Sequence, residues 1–463
     1  MRPPASRPYA VRRVFFSFPH TSAMLKLKVV TFGCQANELD SARIAGILAR
    51  GGYVLTEDEA EADLVILNGC SIRDKAEQKL YSRLGTLRAL KVKNPRLRLG
   101  VAGCLAQREG EALLDRFPYL DLVVGNGEHI AEIPQLLTIS PERPPVATSE
   151  PIGLFPEDIE IHRDSRIRAW VGIMEGCDNF CAFCVVPFTR GRERSRHPDD
   201  ILREVTRLRE SGYKEITLLG QTVNSYGRKL DASVSFAELL RRIDAAVGPT
   251  MRVRFTTSHP CDVTPELAEA IATLDSVCEH VHLPVQAGST RTLARMKRKY
   301  TREEYLEKVT LLRSAVPDFA LTTDIITGFP GETDADFAET LSLMEQVGFD
   351  ACFAFKFSAR IGTPAADFPN QVPELAKSER LSRVLALQAR LSIERNRLLV
   401  GRTVEVLADH ELQKRDPRLG SGRTRQNKIV HFRGGEVQEG SLLTVQITEA
   451  TSHHLKGLLI ARL

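Results

Sequence analysis

Gly176-Cys177-Asp178-Asn179-Phe180-Cys181-Ala182-Phe183-Cys184 puts three cysteines within eight residues, spaced C-x3-C-x2-C, directly after the apolar run Ala169-Trp170-Val171-Gly172-Ile173-Met174. Thiolates at that density, in a chain with no sign of export, read as metal ligands rather than disulfide partners. The number is informative. A structural zinc site or a ferredoxin cluster is closed by four protein ligands. Three thiolates on a cubane 4Fe-4S cluster leave one iron open, as catalytic metals keep an open position. The competing reading is a zinc knuckle that borrows a distant ligand such as His197. It fits less well, because zinc pairs are usually C-x2-4-C with a second pair further on.

The apolar run before the cysteines is the first of six strand candidates in the central third, each followed by a helical pattern. The others are Glu215–Leu219, Arg252–Thr257, His280–Val285, Ala320–Thr327 and Ala351–Phe357. Thr301 with Glu304 makes a capping box, and Thr264-Pro265 and Thr333 with Asp336 mark further helix starts. Six βα units predict an incomplete barrel rather than a full set of eight. Its polar and glycine residues gather just past the strands, where barrel enzymes keep their chemistry. Gly220 and Gln221 follow the second strand, and Gln286 and Gly288 follow the fourth. All four are candidate cofactor contacts.

Working outward, the N-terminal third also alternates strand and helix. Leu25–Phe32, Ala62–Leu67, Leu97–Ala102 and Leu120–Val124 are strands, with Asn37 expected to cap the first helix. Such alternation predicts a doubly wound parallel sheet. Cys34, Cys70 and Cys104 each fall two or three residues past a strand, one βα unit apart. Parallel strands point one way, so equivalent positions converge on the edge where open α/β sheets bind ligands. Helix N-termini there favour thiolates. A second three-thiolate site is expected. The remaining cysteines, Cys261, Cys278 and Cys352, have no matching spacing and read as structural.

A helix over Pro373–Leu399 leads to a C-terminal unit of four short strands, Thr403–Leu407, Lys428–Phe432, Leu442–Thr448 and Leu455–Ile460, the size of an OB-like antiparallel barrel. Its segment Lys414–Lys428 carries six basic residues against one acidic, which suits phosphate contacts as well as a solvated loop. Two further basic runs, Arg190 to Arg196 and Arg291 to Lys299, lie in the barrel, and together the three basic stretches make RNA a plausible partner. The expected domains are therefore an extension 1–24, a doubly wound domain 25–137, a proline-rich linker 138–162, the partial barrel 163–399 and the small barrel 400–463. The extension holds no acidic residue. It reads as disordered, either a transit peptide or residues ahead of a true start at Met24.

Bulk properties exclude little. The chain has 463 residues, 43% hydrophobic and 26% charged, with a net charge of +4 too small to demonstrate a polyanion partner. No apolar run approaches the ~18 residues that cross a bilayer. Nine cysteines without a secretory signal point to a reducing cytoplasm.

With both cysteine sets and both barrels in view, the chain resembles the methylthiotransferases, radical S-adenosylmethionine enzymes with an N-terminal methylthiotransferase domain, a partial (β/α)6 barrel and a C-terminal TRAM domain. The resemblance runs from about Leu25 to the end. It rests on Gly33-Cys34-Gln35-Ala36-Asn37-Glu38, Asn68-Gly69-Cys70-Ser71-Ile72-Arg73, Cys184-Val185-Val186-Pro187-Phe188-Thr189-Arg190-Gly191, Leu219 to Gly227 and Arg254 to Pro260. Gly69 replaces a usual threonine and Ala36 a common methionine, and neither removes a ligand.

The resemblance implies two 4Fe-4S clusters, held by Cys177, Cys181 and Cys184 and by Cys34, Cys70 and Cys104. S-adenosylmethionine would serve as radical source and as methyl donor. It implies methylthio transfer to C2 of N6-isopentenyladenosine beside the tRNA anticodon, a flavodoxin- or ferredoxin-type electron donor, and a monomer. Threonylcarbamoyladenosine tRNA or a ribosomal-protein aspartate are the alternative substrates. A non-catalytic iron–sulfur RNA-binding regulator is the alternative of another class.

Overall fold

The computed structural model describes residues 24–72, 74–139, 144–149, 161–230, 234–316, 318–410 and 419–463. The N-terminal extension, most of the expected linker, Arg73, and Lys414, Arg415 and Arg418 of the last basic segment lie outside the described residues.

The N-terminal unit is a six-stranded parallel sheet of β1 (Leu25–Phe32), β2 (Tyr53–Leu55), β3 (Leu64–Gly69), β4 (Arg98–Ala102), β5 (Leu122–Val124) and β6 (Val146–Ala147), in the order β2-β1-β3-β4-β5-β6. β3 is buried along its whole length, as its run Leu-Val-Ile-Leu requires in a sheet covered on both sides. Ile44 and Leu48 of helix Gln35–Arg50 pack on one face with Ile130 and Ile133. Leu80, Leu84 and Leu87 of helix Asp74–Lys93 pack on the other. The strand order reverses between β1 and β3, the switch point where doubly wound sheets open a ligand crevice. Cys34 and Cys70 follow those two strands. Asn37 does not cap the first helix as expected. Cys34, extended at φ −102° and ψ −179°, is the N-cap, and Asn37 lies one turn inside with its side chain turned back to Cys34 N at 3.4 Å.

The central unit holds six parallel strands: β7 (Arg168–Gly172), β10 (Glu215–Leu219), β11 (Arg252–Thr256), β12 (His280–His282), β13 (Ala320–Thr327) and β14 (Ala351–Lys356). Between the first two lies a ribbon of β8 (Met174–Glu175) and β9 (Arg194–Ser195). The strands form two sheets, β7-β10-β11 and β12-β13-β14. Ser258 N, donating to His282 O at 3.1 Å, stitches β11 to β12. The result is the expected open barrel, and the expected helix caps Thr264, Thr301 and Thr333 are all present.

Helix Glu374–Arg397 leads to a closed barrel of β15 (Thr403–Ala408), β16 (Gly420–Thr424), β17 (Ile429–Arg433), β18 (Leu442–Ala450) and β19 (Leu455–Arg462). β16 was not anticipated from its sequence Gly-Ser-Gly-Arg-Thr. Its glycines pass too close to the Phe432 ring and to Leu407 O for any Cβ, which is how a small barrel admits them.

This barrel plugs the bottom of the central one, at the N-terminal ends of its strands. Arg254 lies 2.8 Å from Glu215 and donates to Thr424 O and Arg425 O, each at 2.7 Å. Arg252 pairs with Glu405, Arg425 with Glu279 and Lys428 with Asp350. The basic segment expected to meet phosphate therefore spends Arg425 and Lys428 on the protein's own carboxylates. Among the described residues no helix is long and apolar enough to cross a membrane.

Candidate iron–sulfur site

The three N-terminal cysteines converge around one buried asparagine pair. Asn37 Nδ2 donates to Asn68 Oδ1 at 3.0 Å, and Asn68 Nδ2 returns to Asn37 O at 2.9 Å and Ser41 Oγ at 2.9 Å. A Cβ at Gly33 would strike Asn37, and one at Gly103 (φ +92°) would strike Asn68, so glycines let the loops of Cys34 and Cys104 close on that pair. Cys34 ends as the N-cap of its helix, Cys70 follows β3, and Cys104 opens helix Cys104–Glu109.

The thiols feel one another. The hydrogen bond between Cys34 and Cys70, helped by the charge of Arg190, pulls the Cys34 thiol down to about 5. The same bond, burial and the nearby Cys104 push Cys70 up, and burial pushes Cys104 up. Helix N-termini alone were expected to favour thiolate at all three. Burial and crowding of like charges outweigh them at two, and that repulsion is what a cationic iron core would relieve.

The second set lies on the loop between β8 and β9, at the C-terminal end of the central strands. Gly176 takes φ +77° because the backbone of Arg192 crosses directly over it. Cys177 N donates to Gly191 O at 3.2 Å and Ala182 N to Met296 O at 2.9 Å, which fixes the loop to the barrel. Asn179 Nδ2 approaches Cys177 Sγ at 3.5 Å and Arg298 donates to Cys181 Sγ at 3.3 Å. Donors of this kind orient and tune sulfur ligands. Burial pushes Cys177 up and Cys184 up to about 12. His197, the ligand a zinc knuckle would borrow, instead accepts from Asp199 N at 3.3 Å and caps helix Pro198–Glu210.

Among the described residues no three His, Cys, Asp or Glu side chains close tightly enough on a point to hold a single metal ion. A cubane offers each cysteine its own iron, so its ligands ring a core rather than a point. One polar group left over fits that larger guest, the hydroxyl of Ser71 next to Cys70, which is able to donate to a cluster's sulfur. Ser71 Oγ, Gln221 Oε1 and Ser258 Oγ are buried without a partner.

The two sets are joined by charge. Arg190, six residues past Cys184, lies 2.6 Å from Asp40 on the helix that starts at Cys34, and it also hydrogen-bonds Cys104. Arg43 on that helix reaches Glu175 of β8 at 2.9 Å. Asn126 Nδ2 donates to Thr189 O at 2.9 Å. On the far side Arg360, past β14, donates to Ile72 O at 2.7 Å, beside Cys70. Neither Arg190, Arg360, Asp40 nor Asn126 stood out in the sequence; only Arg190 lay in a noted run, where it suggested RNA. Of that run Arg194 and Arg196 also pair inward, with Glu175 and Glu204.

The four candidate cofactor contacts divide. Gly220 leaves room for Met174, and Gln221 carries its orphan oxygen. Gln286 sits buried at φ +74°, bridging Asp324 O and Ile326 N. Gly288 has a packing reason of its own, since a Cβ there would collide with the backbone of Thr340.

Known proteins match this architecture piece by piece. The Radical SAM superfamily model covers residues 171–344, the TRAM domain 397–460, and the Uncharacterized protein family UPF0004 residues 26–125. Among solved structures, the radical S-adenosylmethionine methyltransferase TsrM from Kitasatospora setae aligns with a TM-score of 0.55 at 17% identity, covering 74% of this chain and 77% of its own. The cobalamin-dependent S-adenosylmethionine radical enzyme OxsB aligns at 0.52 and 13%, covering 78% and 55%. At those identities the likeness is one of fold, that of a radical S-adenosylmethionine enzyme.

Sequence relatives narrow it. The tRNA-2-methylthio-N(6)-dimethylallyladenosine synthase of Thermoanaerobacter pseudethanolicus is 47% identical over 93% of this chain and 92% of its own. That of Moorella thermoacetica is 48% identical over 94% and 98%. The chain belongs to the tRNA-2-methylthio-N(6)-dimethylallyladenosine synthase family.

Proposed function

We propose that this chain transfers a methylthio group to C2 of N6-isopentenyladenosine next to the anticodon of tRNA, in the cytoplasm, as a monomer reduced by a flavodoxin- or ferredoxin-type donor. The observation that carries the reading is the pair of three-cysteine sites, each one ligand short, tied across Arg190. Cys177, Cys181 and Cys184 hold one 4Fe-4S cluster and leave a position for S-adenosylmethionine; Cys34, Cys70 and Cys104 hold the other. Bound there, the clusters and S-adenosylmethionine supply homolytic cleavage and a methylated sulfur, which acid–base side chains cannot provide against a C2–H bond.

The protein's own groups position and shield. Arg298 and Asn179 donate to the sulfurs of Cys181 and Cys177, and Arg190 brings positive charge to Cys34 and Cys104. Gly220, Gln221, Gln286 and Gly288 border the space for the cofactor, with the orphan oxygen of Gln221 free to accept from its amino group. The target base must leave the anticodon-loop stack to enter between the two sites. The domains divide as 25–137, 163–399 and 400–463.

Nucleoside mass spectrometry of tRNA from a strain lacking the gene tests the reading. Loss of methylthio-isopentenyladenosine, with the unthiolated nucleoside accumulating, is expected. Its persistence would transfer the chemistry to another substrate.

A further inference from the structure

The loop that carries Cys177, Cys181 and Cys184 is buried along most of its length, yet it turns two phenyl rings outward. Phe180 is 37% exposed and Phe188 58% exposed, while Ala182 and Val186 between them are buried. The rings meet edge to face at 6.3 Å. Phe180 does this from a left-handed backbone, φ +47°, an unfavourable conformation for a bulky side chain. The Arg192 guanidinium lies 4.9 Å from the centre of that ring and is itself largely exposed, held by Asp178 at 2.8 Å. Lys297 and Lys299 flank Arg298, the residue that touches Cys181, and both point to solvent. Two exposed aromatics and an arginine on one of them thus stand on the cysteine loop, with an exposed lysine on either side of the arginine that touches Cys181. Phe183, by contrast, turns inward onto Phe329.

Unpaired nucleotides are the ligand this chemistry recognises. Every base has a face that stacks on an aromatic ring or a guanidinium, and every phosphate attracts a lysine. We propose that Phe180, Phe188 and Arg192, with Lys297 and Lys299, form the platform on which the single-stranded loop of the RNA substrate stacks as its target base enters the site. This rests on the tRNA reading above and adds the surface that reads the loop. It adds an RNA contact at the cysteine loop to any made by the C-terminal barrel, of whose described basic residues Arg425 and Lys428 are paired within the chain.

The test is binding of an anticodon stem-loop RNA to the full chain after anaerobic cluster reconstitution, by fluorescence anisotropy across a salt series. Iron and sulfide equal to the parent's would show that each variant keeps its clusters. F188A, and F180A/F188A, should weaken binding about 5- to 150-fold, the range for losing one stacked base, without changing the salt slope. F188Y, which keeps the ring, should bind as the parent does. K297A/K299A should lower the slope of log K against log salt by about 1.4, two single-strand phosphate contacts. Parental affinity and slope in all variants would overturn the proposal. The same result with slower electron delivery from reduced flavodoxin would also overturn it and assign the surface to an acidic protein partner. Failure of the parent itself to bind RNA would remove the tRNA reading and this surface together.

Discussion

Arg190 and Asp40 lie 2.6 Å apart, both buried, and this bond ties the loop that follows Cys184 to the helix that begins at Cys34. Removing the arginine strands Asp40, whose remaining partner Arg43 stands at 3.5 Å. Breaking one side of a buried ion pair costs about 3–5 kcal/mol. R190A should therefore lower the unfolding midpoint and expose the junction to limited proteolysis. R190K should recover only part, since lysine keeps the charge but not the planar fork with which Arg190 reaches both Asp40 and Cys104. Parental stability in R190A would show that the pair does not hold the two sites together.

At the opposite end of the barrel, Arg254 neutralises Glu215 and reaches two carbonyls of the C-terminal barrel. Burial favours the neutral acid at Glu215, but Arg254 holds it below the usual carboxylate range. R254A would leave that carboxylate buried and unpaired, again at about 3–5 kcal/mol. Loosening of residues 400–463 is the expected outcome, seen as faster amide exchange in β16.

Acid should destabilise the barrel through its histidines. Burial pushes His280 down to about 3 and His259 down to about 2, against about 6.5 in an unfolded chain. Because folding lowers these values, the stability they confer is whole above pH ~6.5 and is lost as pH falls toward 3. The loss is about 1 kcal/mol per pH unit for each. In urea titrations of the metal-free chain, H280N should show a flatter fall in stability between pH 6.5 and 4.5 than the parent. An equal fall would mean that His280 is already charged in the fold.

Much of this was legible because it is local. Leu25–Phe32, Glu215–Leu219 and Ala320–Thr327 are the strands the residues predict, to the residue. The spacing of Cys177, Cys181 and Cys184 needs only eight positions to be read. β2 and β6 were too short to carry a pattern, at three and two residues. The sign of a basic run was misleading, because its charge count does not reveal whether a carboxylate waits 150 residues away, as Asp40 does for Arg190. Gly103 and Gly422 carry no signal in the sequence for the close neighbours that demand them.

The two cysteine sets should be separable by what they support. C181A should abolish reductive cleavage of S-adenosylmethionine, since the proposed function gives its site the open position. C34A should keep cleavage and lose only the methylthio product. Chromatography of 5′-deoxyadenosine beside the nucleoside product checks both, and loss of cleavage in C34A would contradict the division of labour.

The most direct test counts iron and acid-labile sulfide after anaerobic reconstitution. The parent should hold about eight irons per chain, and the triple variants C34A/C70A/C104A and C177A/C181A/C184A about four each. About four irons in the parent, unchanged when Cys34, Cys70 and Cys104 are removed, would contradict the second cluster and with it the proposed route of sulfur to the base.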